Sequence, residues 1–143
     1  MTGVDAISRR LLSLSEALAH LDRPECRDPA RLLVDATLRA AVERWLQVSI
    51  EACLDVAHNM IASEAWTPAP TGRAAFTTLA AHGVILPDLA QRLGRAVGLR
   101  NLLVHDYADV DVARLAAIVA ADLDDLRAFA RVATGLIERG PAG

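Results

Sequence analysis

Lysine is absent from this chain of 143 residues, and all fifteen of its basic residues are arginine. Together with the abundance of alanine, this reflects GC-rich coding and is no evidence for a phosphate-binding surface. The formal net charge of −3 excludes a general nucleic-acid-coating protein and leaves room only for a local basic site. Aromatic residues make up 3% of the chain, which gives little surface for stacking unpaired bases. Its two cysteines, Cys26 and Cys53, lie far apart and form no CxxC or Cys/His spacing. Both read as small apolar residues or free surface thiols, and no zinc site or cofactor is expected. No apolar run approaches the roughly 18 residues of a membrane span. Met1 to Asp5 lacks the basic n-region of a secretory signal, so a cytoplasmic location is expected. Strand alternation, internal repeats and low-complexity segments are also missing.

What remains is a globular composition, 53% hydrophobic and 23% charged, of single-domain length. The sequence predicts an all-α, up-and-down bundle of about five helices. Residues 1–138 form the expected domain, and residues 139–143 a flexible tail. The first helix is predicted over Val4 to Leu21. Its seam of Val4, Ile7, Leu11, Leu14, Leu18 and Leu21 suits lengthwise packing on another helix. Thr2 and Asp5 resemble a capping box. Asp28-Pro29 opens a second helix, and neither proline nor glycine follows until Thr67-Pro68. One long helix of nearly forty residues is therefore possible. A short helix is expected over Gly72 to Ala81, with Gly83 past its end. Another starts at Leu86-Pro87-Asp88, and a last one, capped by Asp109 or Asp111, runs to about Glu138. Its expected stripe is Val112, Leu115, Val119, Leu123, Leu126, Phe129 or Ala130, Ala133 and Leu136 or Ile137.

Packing does not account for Arg100 to Tyr107, R-N-L-L-V-H-D-Y. Arginine braces phosphate oxygens, histidine exchanges a proton near neutral pH, and tyrosine offers a hydroxyl and a flat face. That set suits chemistry on a phosphodiester without a metal. On an ideal helix Arg100 and Tyr107 lie about 20° apart, but His105 lies about 140° from Arg100. Either the helix ends near His105, or two copies of the motif meet across a two-fold axis. The structural alternative is a histidine favoured by a helix C-terminus, with Arg100 paired to Asp106 or Asp109.

R-N-L-L-V-H-D-Y followed by A-D-V-D resembles the R-x4-H-x-Y signature of the HepT-like branch of the HEPN superfamily. Chain length, helical pattern and the place of the motif before the last helix fit that family, as does the segment from Arg44-Trp45-Leu46-Gln47 through Ala62. The resemblance implies a helical homodimer whose motifs meet in a cleft, acting as a metal-independent endoribonuclease on RNA. It further implies the toxin of a toxin–antitoxin module, silenced when an MNT-type nucleotidyltransferase antitoxin attaches AMP to the motif tyrosine. By position, Arg100 and His105 are the implied catalytic pair, Asn101 supports them, and Tyr107 is the modified residue.

A second polar set, Arg44, Gln47, Glu51, Asp55 and His58, draws one stripe along the long helix. It is either a solvated face or a wall of the cleft, where Glu51 or Asp55 orients Arg100 or His105. His20 and His82 have no convergent partner in the pattern and are expected at the surface. Asp122, Asp124 and Asp125 look like a solvated patch. The competing functional reading is a non-catalytic helical partner of a nucleotidyltransferase that binds nucleotide or substrate in the dimer cleft. A third is a purely structural dimerisation module.

Overall fold

A computed structural model describes residues 3 to 139 apart from 106–110, with residues 3, 4 and 101–105 described as backbone alone. Among the described residues there are six α-helices, no strand, and one 3-10 turn at Pro24–Arg27. The helices are α1 Gly3–Leu21, α2 Pro29–Val34, α3 Ala36–Ser63, α4 Gly72–Ala81, α5 Pro87–His105 and α6 Val112–Glu138. The all-α bundle is as expected, with one helix more. Thr2 and Asp109, two of the predicted cap residues, lie outside the described residues.

The long second helix is the main departure. It breaks at Asp35, leaving α2 with 6 residues and α3 with 28, about 42 Å of helix. One aspartate both ends and starts a helix there. Its backbone N–H donates to Arg31 O at 2.9 Å, while its carboxylate accepts from Leu38 N–H at 3.0 Å. Aspartate is a strong N-cap because its oxygen satisfies an orphan amide of the first turn. Caps of the same kind begin α2, where Asp28 accepts from Ala30 N–H, and α4, where Thr71 accepts from Ala74 N–H. At α6 the cap is Asp111, which accepts from Arg114 N–H at 2.7 Å.

α1 lies along α3, α4 packs on α5, and α6 touches α1, α2, α3 and α5. Ile7, Leu14, Leu18 and Leu21 of α1 are buried as expected. In α6 the buried stripe is Leu115, Ala116, Val119, Leu123, Leu126, Phe129 and Ala133. Phe129, not Ala130, points inward and meets Phe76 of α4 edge-on, centroids 5.6 Å apart at 84°, a favoured aromatic geometry. Each large aliphatic group buried in this core contributes about 1.5–3 kcal/mol.

Two short segments set how the helices join. After α3 the chain turns through Ala65 at φ 57°, and Trp66 N–H donates back to Ile61 O. A non-glycine residue in this conformation costs about 1–2 kcal/mol. Stacking of Trp66 on His82, centroids 3.7 Å apart, ties the turn to the end of α4. At the start of α4, a Cβ on Gly72 would stand 2.7 Å from Leu54 Cδ2 and 3.2 Å from Val97 Cγ1. Glycine lets the backbone come this close to α3 and α5 without moving the Leu54 and Val97 side chains.

Candidate active site

The motif occupies the C-terminal end of α5. Pro87 starts this helix with Asp88 in its first turn, an arrangement that suits the fixed φ of proline and the helix dipole. Leu89, Ala90, Leu93, Ala96 and Val97 are buried and hold it against the bundle. Helical backbone continues through His105. Arg100 is therefore the last motif residue whose side chain is described. Asn101 and His105 are placed as helix positions, and Tyr107 lies outside the described residues.

Arg100 turns toward α3. Its Nη1 stands 3.9 Å from Glu51 Oε1, with the two side chains 28% and 39% exposed. Glu51 Oε1 also accepts a hydrogen bond from Gln47 Nε2 at 3.3 Å. A separation of 3.9 Å is an ion pair without a hydrogen bond. The carboxylate thus restrains the guanidinium electrostatically, and no hydrogen bond among the described residues commits its N–H groups. Among the described residues Arg100 Nε is buried and has no hydrogen-bond partner. An arginine with unused donors beside one carboxylate can accept a further anion without first breaking a bidentate pair.

The rest of the polar stripe divides. Asp55 pairs with Arg10 of α1 at 3.2 Å, both half-exposed, and not with Arg100. Such a surface pair contributes at most about 1 kcal/mol. Arg44 and His58 are exposed. Of the two carboxylates considered for orienting the motif, Glu51 is the one brought to Arg100. Arg10, from the apolar-seamed first helix, has no sequence signal for its pairing with Asp55.

His20 and His82 do find partners. His20 stacks on Trp45 at 4.5 Å, and His82 on Trp66, so each closes a helix end over an indole ring. The acidic trio of α6 is more structured than a solvated patch. Asp125 accepts from Arg92 Nε at 2.8 Å, and Asp124 lies 3.6 Å from Arg127. Burial first, and the Asp125 charge second, push the Asp122 carboxyl up to about 6. Among the described residues no group of three or more His, Cys, Asp or Glu is placed to hold a metal ion. Cys26 and Cys53 are buried free thiols.

Sequence comparison sets this geometry among known proteins. The family described as Ribonuclease HepT-like matches residues 14–133. The chain is 32% identical over 102 residues to mRNA nuclease HepT of Shewanella oneidensis, covering 71% of this chain and 77% of that protein. It is 29% identical over 113 residues to tRNA nuclease HepT of Aphanizomenon flos-aquae, covering 78% and 77%. In three dimensions it is similar to the tri-AMPylated Shewanella oneidensis HEPN toxin solved in complex with MNT antitoxin. The TM-score is 0.83 at 26% identity, covering 95% of this chain and 100% of that one.

Proposed function

Because this chain belongs to the HepT-like ribonuclease family, we propose that it is the toxin of a toxin–antitoxin module, an endoribonuclease that cuts RNA without a metal ion. The observation that carries this reading is the family match over residues 14–133, which includes every residue of the motif. The part-exposed Nη end of Arg100, 3.9 Å from Glu51 and beyond hydrogen-bond reach of it, supports it, because it can still donate to a phosphoryl oxygen. The site of action is the cytoplasm, and no helix among the described residues is long and apolar enough to cross a membrane.

In this mechanism His105 removes the proton from an RNA 2′-hydroxyl, and the 2′-oxygen attacks the adjacent phosphorus. The bond from phosphorus to the 5′-oxygen breaks. The products are a 2′,3′-cyclic phosphate and a 5′-hydroxyl. Arg100 stabilises the charge that builds on the non-bridging oxygens, and Asn101 supports the pair. Positions 100 and 105 lie about 140° apart around one helix, and Arg100 is turned to Glu51. The reading therefore includes a homodimer in which Arg100 of one subunit approaches His105 of the other. His105 of the partner subunit then protonates the leaving 5′-oxygen.

Silencing is assigned to Tyr107. A nucleotidyltransferase antitoxin of the MNT type adds AMP there, as the solved Shewanella oneidensis toxin, itself tri-AMPylated and bound to MNT antitoxin, suggests. The added phosphate brings negative charge near Arg100 and fills the path of the RNA. The test is cleavage of total RNA in EDTA by unmodified protein, with Arg100→Ala and His105→Ala as controls. Wild-type cleavage ending in 2′,3′-cyclic phosphate is expected, with a loss of about a hundredfold or more in the histidine variant. Undiminished cleavage by either variant refutes the assignment. Mass spectrometry after coexpression with the antitoxin should find AMP on Tyr107. Its absence there refutes the silencing step.

A further inference from the structure

Two glycines of α5, Gly94 and Gly98, lie against one arginine of α4, away from the face that Arg100 turns to Glu51. Arg73 is the second residue of α4, whose start is clamped on α3 and α5 by the close approach at Gly72. From there its side chain lies along α5. A Cβ on Gly94 would stand 3.5 Å from Arg73 Cγ, and one on Gly98 would stand 3.0 Å from Arg73 Nη2. The side chain therefore runs from the level of Gly94 toward Gly98, in the direction of the motif. A Cβ at position 98 would press on the guanidinium and shift it by a few tenths of an ångström.

Helical register says which face this is. At 100° per residue, positions 94, 98, 101 and 105 fall within about 60° of one another, while Arg100 lies about 120° from Gly94. Among the described residues, Arg73 thus brings a guanidinium to Gly94 and Gly98, on the same helical stripe as positions 101 and 105. Between α4 and α5 a groove of about 270 Å³ continues the stripe away from the motif, lined among others by Arg73, Thr77, Gln91 and Gly94, and no carboxylate lines it. Arg73 makes no ion pair within the described residues. Nor does helix stability explain it, because a cation in the first turn sits at the wrong end of the helix dipole.

We propose that Arg73 is an RNA-phosphate-binding residue, and that the α4–α5 groove carries the strand that leads into the motif. The proposal rests on the ribonuclease reading above and adds a subsite to it. Gly98 and His105 are separated by about 10 Å along the helix axis. Arg73 therefore holds the phosphate of a neighbouring nucleotide, and the linkage being cut belongs to Arg100 and His105. Arg73 is a binding and positioning residue.

The test uses a fluorescein-labelled single-stranded RNA that the wild-type protein cleaves. Binding is followed by anisotropy in His105→Ala protein, with and without Arg73→Gln, across a salt series. Arg73→Gln is expected to weaken binding about tenfold at low salt. It should also reduce the slope of log affinity against log salt by about 0.7, the loss of one phosphate contact. In cleavage-competent protein the same change should raise KM and leave kcat nearly unchanged, the signature of lost uniform binding. Arg73→Lys should restore most of the salt slope. Unchanged affinity, slope and KM in Arg73→Gln, with wild-type cleavage intact, overturns this inference alone. A fall in kcat at constant KM overturns it too. If unmodified wild-type protein cleaves no RNA, the ribonuclease reading fails and this subsite falls with it.

Discussion

Replacing Asp122 by asparagine should make the protein more stable at neutral pH. Asp122 lies on α6 with its carboxyl partly buried. Desolvation, followed by the charge of Asp125, raises its pKa to about 6, against an opposing pull from Arg95. In the unfolded chain an aspartate titrates near its ordinary value of about 3.9. Between about pH 4 and pH 6 the folded chain therefore holds more protons than the unfolded one, and stability falls as pH rises through that window. Above about pH 6 the whole penalty is present; below about pH 4 both states are protonated and it vanishes. Unscreened, the difference corresponds to about 3 kcal/mol. The carboxyl keeps contact with water, and screening reduces the penalty to about 1–2 kcal/mol. Asparagine keeps the shape and cannot ionise. At about pH 7.5 the variant should melt about 3–6 °C above wild type, measured by circular dichroism at equal protein concentration. The gap should close as pH falls toward about 4. Equal melting temperatures at neutral pH, or a gap that ignores pH, would refute the reasoning.

Asp35→Ala removes the carboxylate that accepts from Leu38 N–H and should cost about 1 kcal/mol of stability. A urea midpoint equal to that of wild type would show that the cap contributes nothing. Cys53 is fully buried, and burial pushes its thiol well above the ordinary range. Iodoacetamide should therefore label it only after denaturation, and peptide mapping that finds Cys53 alkylated in native protein would contradict that burial.

Local chemistry made most of the bundle legible. The caps and breakers at Asp28-Pro29, Gly72, Gly83, Pro87 and Asp111 mark helix ends because they act on their own backbone neighbours. Seams repeating every three or four residues, as in α1 and α6, identify the buried faces for the same reason. The break at Asp35 is not legible in the sequence, because no proline or glycine stands there. The extended backbone of Asp35 ends α2, and its carboxylate, accepting from Leu38 N–H, opens α3. Residue types and spacing also pointed to the motif, since Arg100, His105 and Tyr107 have little reason to sit together in a chain otherwise built for packing.

Pairings across helices were not legible. The stripe of α3 left Glu51 and Asp55 equal as partners for Arg100. The packing of α1 on α3 decided between them by bringing Arg10 to Asp55, while α5 brought Arg100 to Glu51. In the same way, spacing alone did not show that Gly94 and Gly98 leave a track for Arg73. A sequence determines by itself what residues do to neighbours within a turn or two, because helical geometry fixes those distances. Which side chains from separate helices meet depends on how the helices approach, and tight contacts such as Gly72 against Leu54 and Val97 set that approach.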